Sequence, residues 1–74
     1  TNMNANETKK RFDDVARQLF GVRENLQVLS LALSRPDDKK ALETILTDLS
    51  WACENCTVIG LHQIGQALED HMGL

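Results

Sequence analysis

The sequence predicts an all-α fold: an antiparallel helical hairpin closed by a short third helix and dimerising into a helical bundle. Three observations point there. Apolar residues recur three and four apart along both halves of the chain, which marks one face of a helix. Nothing alternates with period two, and β-branched residues are sparse, so no strand pattern forms. The one proline, Pro36, sits in a polar SRPD stretch between the two periodic runs, where a tight helix–helix connection is needed.

The first helix is expected over residues 5–33. Asn4 followed by Glu7 resembles an N-capping box, and residues 1–4 before the helix are expected to be disordered or tag-derived. Phe12, Val15, Leu19, Val22, Leu26, Leu29 and Leu33 are spaced 3, 4, 3, 4, 3, 4, an unbroken a/d seam over three heptads. Gly21 lies off that seam and costs about 1 kcal/mol of helix propensity. From Leu26 to Leu33 the helix is apolar almost all round, so Val28, Leu31 and Ala32 call for a second neighbour.

A second helix is expected over 36–59. Proline suits the first turn, and Asp37 and Asp38 complement the helix dipole there. Leu42, Ile45, Leu49, Ala52, Cys56 and Ile59 continue the three-four spacing, with Leu46 and Cys53 widening the stripe. Gly60 is read as a break. The third helix, 61–72, carries Leu61, Ile64, Ala67, Leu68 and Met72, and Gly73 ends it. The whole of 1–74 is expected to be one domain. A chain of 74 residues has a thin core of its own and often leans on a disulfide, a metal or a partner subunit. Here a homodimer is expected, with Phe12, Leu19, Phe20, Leu26 and Leu31 sharing seam and interface.

Composition limits the function classes. The net charge of -3 removes the usual electrostatic reason to bind nucleic acid or an anionic membrane. Lys9, Lys10 and Arg11 are offset by Glu7, Asp13 and Asp14, and read as a solvated helix face. No apolar run is long enough for a transmembrane helix. Two cysteines without an export signal favour a reducing cytoplasm.

WACENC, residues 51–56, is the stretch that most resembles chemistry. Cys53 and Cys56 share the stripe of Leu42, Ile45 and Leu49, so they are expected to fill core space as small hydrophobes. Helix neighbours hold their Cβ atoms too far apart for a disulfide. Both thiols fall late in the expected helix, where the dipole disfavours a thiolate. The alternative is a metal- or redox-responsive switch using Cys53 and Cys56, with zinc held by Cys53, Cys56, His62 and His71. That spacing departs from the common finger pattern, and two histidines nine apart lie on opposite sides of one helix. His62 is expected to be exposed, and His71 to be buried and neutral or frayed. No nucleophile motif or phosphate loop is present, so the protein is expected not to be an enzyme, to bind no small-molecule substrate and to need no cofactor.

Trp51 falls opposite the core stripe, with Val58 one heptad on. Either a neighbouring helix covers it or it belongs to an interface, since tryptophan is enriched in binding hot spots. Trp51, Val58, Phe20 and Leu31 are the candidate partner-binding residues.

From Leu46 to Asp70, LTDLSWACENCTVIGLHQIGQALED resembles the second half of a histidine phosphotransfer domain. Ile59-Gly60-Leu61 is similar to that family's hydrophobe-glycine-hydrophobe turn, and Ile64 to Glu69 to the helix after it. The position of the phospho-accepting histidine holds Ser50, and the lysine-glycine that follows becomes Cys53-Glu54. The resemblance therefore implies a degenerate docking module for a receiver or kinase, without phosphotransfer. The function expected from the residues is a small acidic regulatory or adaptor protein, bacterial and cytoplasmic. It would bind a transcriptional or signalling partner through helices.

Overall fold

The computed structural model describes residues 3–73. Two α-helices fill them: α1 (Ala5–Leu29) and α2 (Pro36–Met72), joined by a 3-10 turn at Ser30–Ala32 and a short extended link. No strand occurs among the described residues. The expected break at Gly60 does not form, and with it goes the separate third helix over 61–72. α2 runs through as 37 residues. A glycine inside a helix lowers its propensity by about 1 kcal/mol but keeps its backbone donor, unlike proline, so flanking turns and packing can carry the helix across it.

Each helix end has a local cause. The Asn4 side-chain oxygen accepts from the Glu7 backbone N–H at 2.8 Å, and its amide donates to the Glu7 carboxylate at 2.9 Å. Asn4 is thus an ordered cap and not part of a disordered lead-in, while Thr1 and Asn2 lie outside the described residues. α1 stops at Leu29 rather than at residue 33, because Ser30 donates its hydroxyl to the Gln27 carbonyl at 2.6 Å and the chain tightens into the 3-10 turn. Leu33 then turns extended. Arg35 is also extended, as the residue before a proline prefers. At the far end Gly73 takes a left-handed φ of 75° and donates its N–H to the Asp70 carbonyl at 3.3 Å, the usual way a glycine closes a helix.

The two helices run antiparallel. Gly60 lies against Lys9, and Cys53 lies against Ala16, whose carbonyl accepts from the thiol at 3.5 Å. Leu42 and Leu46 adjoin Ser30 near the turn. Each step up α1 is therefore a step down α2. Ile64 comes level with Ala5, and the last two turns of α2 extend past the start of α1. The molecule is a rod of 57 × 18 × 17 Å.

The seam between the helices is only partly the expected one. Along α1 and the turn after it the half-buried positions include Phe12, Ala16, Leu19, Arg23, Leu26, Ser30 and Leu33; on α2 they include Leu46, Leu49, Cys53 and Cys56, with Leu42 and Gly60 buried. Phe12, Leu19, Leu26, Leu42 and Leu49 thus stand where the periodicity puts them. Val15, Val22, Leu29 and Ile45 do not: all four are exposed on one side of the hairpin. Small residues at Ala16, Ser30 and Gly60 let the helices approach there, and the larger apolar neighbours are turned outward.

Enclosure is slight. Leu42, at 7% exposure, is the one buried large apolar residue among those described. The Lys9 stem lies across Gly60 while its ammonium pairs with Asp13 at 2.6 Å, so an amphipathic side chain seals the contact. Arg23 sits in the seam with its Nε shielded from solvent and without a hydrogen-bond partner. An unpaired buried polar atom opposes folding.

Three outcomes follow for unfolding at fixed protein concentration. Asn4→Ala loses about 1 kcal/mol with the cap. Gly65→Ala meets open space and gains up to about 1 kcal/mol of helix propensity. Gly60→Val presses on Lys9, where even a bare Cβ stands 3.3 Å from the Lys9 Cγ, and loses about 1–3 kcal/mol by overpacking. Urea titration of the three variants reads these signs directly.

Candidate functional site

The long α2 presents a second apolar stripe on the side away from α1. Trp51, Val58, Leu61, Leu68 and Met72 are all exposed, Trp51 to 60%. Their spacing of 7, 3, 7 and 4 follows heptad positions, so they line one outer face. No part of the described chain covers Trp51. Leu61, Leu68 and Met72 belong to this surface although the sequence places them on a separate third helix. With α2 unbroken they stand on its outer side, and the last of them lie past the start of α1. The three-four spacing from Val58 through Leu61, Gly65, Leu68 and Met72 was the signal available for them.

Phe20 joins this surface from α1. One shallow depression is lined by Phe20, Arg23, Ser50, Cys53 and Glu54, and the next by Cys53, Glu54, Thr57 and Val58. Cys53 and Glu54 are common to both, so Phe20 and Val58 flank one continuous strip. Leu31 stands apart. It is 88% exposed in the 3-10 turn, eleven residues along from Phe20, roughly 16 Å at helical rise. Phe20 and Val58 thus border one strip, Trp51 stands one heptad before Val58 on α2, and Leu31 lies apart at the turn. Phe20 and Leu31 also lie off the interhelical seam in which they are expected to share.

The rim of the outer face is acidic. Glu54 and Glu69 are exposed there. A depression of about 660 Å³, open along its length, lies between the helices at Asp13, Ala16, Arg17, Phe20, Glu24 and Cys53. It is a groove walled by charges of both signs, including the Asp14–Arg17 ion pair nearby, and does not enclose a small molecule as ligand pockets do.

Cys53 and Cys56 are free and half-buried in the interhelical stripe. The expectation that they lie near a negative helix end is overturned: with α2 continuous to Met72 they stand in mid-helix. His62 is exposed as expected; His71 is exposed in the last turn and not buried. Among the described residues no three of His, Cys, Asp and Glu come together to hold a metal, so Cys53, Cys56, His62 and His71 do not converge in the single chain. No described helix is long and apolar enough to cross a membrane. The turn at Ile59-Gly60-Leu61 on which the phosphotransfer resemblance rests is absent, since α2 passes straight through it.

Comparison with protein families, with curated proteins and with solved structures found no match to this chain.

The placement of the thiols has a measurable consequence. Both should react with an aromatic disulfide reagent at least about tenfold more slowly in the folded protein than in urea, because opening of the helix pair must precede attack. Equal rates in the two states would remove Cys53 and Cys56 from the seam.

Proposed function

We propose that this chain is a small acidic, non-enzymatic regulatory or adaptor protein that works by helix-mediated binding to another protein. The single observation that carries the reading is the outer stripe of α2: an exposed tryptophan with Val58, Leu61, Leu68 and Met72 in heptad spacing, joined by Phe20. Aromatic anchors on exposed faces are typical of binding hot spots, and contiguous apolar surface on a protein this small marks an interaction site. The partner offers an amphipathic helix or helix pair whose apolar stripe lies along Trp51 and Val58. Its rim is basic, to match Glu54 and Glu69. Binding occludes or scaffolds that partner, a transcriptional or signalling component, and no bond is made or broken. In this reading the protein acts in the cytoplasm as a homodimer, without cofactor, nucleic acid, membrane or small-molecule substrate.

The test compares captured proteins quantitatively between wild type, the double variant Trp51→Ala/Val58→Ala and Leu31→Ala, followed by titration with the purified species. A true partner should be depleted at least about 30-fold by the double variant, the loss of a hot spot worth ~2 kcal/mol, and retained by Leu31→Ala. A purified partner that binds all three alike would remove the outer stripe from the function.

A further inference from the structure

The apolar stripe of each helix is turned away from the line that joins the two helices. On α1, Val15, Val22 and Leu29 each precede by one residue the packed positions Ala16, Arg23 and Ser30. On α2, Ile45, Ala52 and Ile59 precede Leu46, Cys53 and Gly60 in the same way. One residue is about 100° of helix turn, so the centre of each apolar stripe lies about 50° from the partner helix. The sense of rotation along the chain is the same in both helices. Because they run antiparallel, both stripes lean to the same side of the hairpin.

That geometry is half of a four-helix bundle. In a square bundle each a/d stripe points at the common centre, about 45° from either neighbour. A hairpin meant to stand alone would aim its stripes straight across. Leu42 alone is buried as a large apolar residue here, and a chain of 74 residues has little other core to draw on. The half that is missing must supply two antiparallel helices, each with an apolar stripe of about three heptads at the same offset.

We infer that a second copy of this chain supplies it, through the face formed by Val15, Val22, Leu29, Ile45, Ala52 and Ile59. The six residues of the face are uncharged; on its rim Gln18, Asn25 and Asn55 are neutral and Arg11 and Asp48 contribute one charge of each sign, so two copies meet without a like-charge array, as a two-fold interface requires. The molecule is 18 Å wide, and the full stripes to which this face belongs, from Phe12 to Leu33 and from Leu42 to Ile59, are about 25–30 Å long. Such a patch hides roughly 500 Å² per copy, about 1,000 Å² in all, which reaches the threshold of a specific interface. This deepens the homodimer of the proposed function by giving its face, and it leaves Trp51 and Val58 outward on the assembled bundle for a further partner.

Val22 and Val58 make a matched pair for the test, exposed to 47% and 45% in the single chain but on different faces. Light scattering and equilibrium sedimentation at 20 µM, about the concentration of ordinary preparations, should give wild type the mass of two chains. Val22→Glu and Ile45→Glu should weaken the dimer at least about 30-fold and lower the helical signal together with the mass. Val58→Glu should keep the two-chain mass and full helicity while losing the outer partner. Three results would overturn the inference: a fully helical wild-type monomer at 20 µM, an assembly of more than two copies, or Val22→Glu and Val58→Glu altering the mass alike. A dimer that survives Val58→Glu but shows no outer partner leaves this face standing and removes only the binding surface of the preceding section.

Discussion

Two helices side by side can enclose almost none of their own leucines. Every other feature of this molecule follows from that limit. A residue in the line of contact touches one neighbour and keeps solvent on its flanks, which is why Leu42 alone among the large apolar residues described is buried. The hydrophobic term grows with the area removed from water, and a hairpin that removes so little has little to set against the entropy of ordering its chain.

Within that limit the chain places its small residues where backbones approach and its branched residues to the side. Gly60 against Lys9 and Cys53 against Ala16 are points of near backbone contact. A larger side chain at either would push the rods apart. The cysteines therefore need no redox or metal chemistry to explain their positions. They are compact, weakly polar groups in a stripe that has room for nothing bigger, and the Cys53 thiol still reaches a carbonyl on the other helix. Arg23 is the exception in this seam. Its guanidinium nitrogen lies shielded and unpaired at a position where α1 otherwise offers alanine or serine, and nothing in the helix pair accounts for its retention.

The unbroken α2 changes how the surface is divided. A third helix folded back at Gly60 would have drawn Leu61, Leu68 and Met72 into a core. Instead they extend the outer row begun by Trp51, and the overhang beyond Ala5 presents apolar residues with no helix beside them. The protein thus has two apolar faces that point in different directions: a flat one spread over both helices, whose rim carries one charge of each sign at Arg11 and Asp48, and a ridge on α2 with an acidic border. Their chemistry differs in the way that self-association and binding of a charged partner would demand.

Much of this was legible from residue order alone. Helix class, the turn at Pro36, the Asn4 cap, the glycine stop at Gly73 and the membership of Phe12, Leu19, Leu26, Leu42 and Leu49 in a seam are local properties. Propensity, spacing and capping chemistry determine them before any tertiary contact exists. Two things were not legible. The sequence cannot say whether a lone glycine interrupts a helix, since its cost of about 1 kcal/mol is smaller than what packing on either side can return. Here the close approach to Lys9 favours continuity. Nor can spacing give the rotation of a stripe about its helix. Positions three and four apart describe a face without saying which edge of it meets the neighbour, and only the docked pair decided that Ala16, Arg23 and Ser30 turn inward while Val15, Val22 and Leu29 turn out.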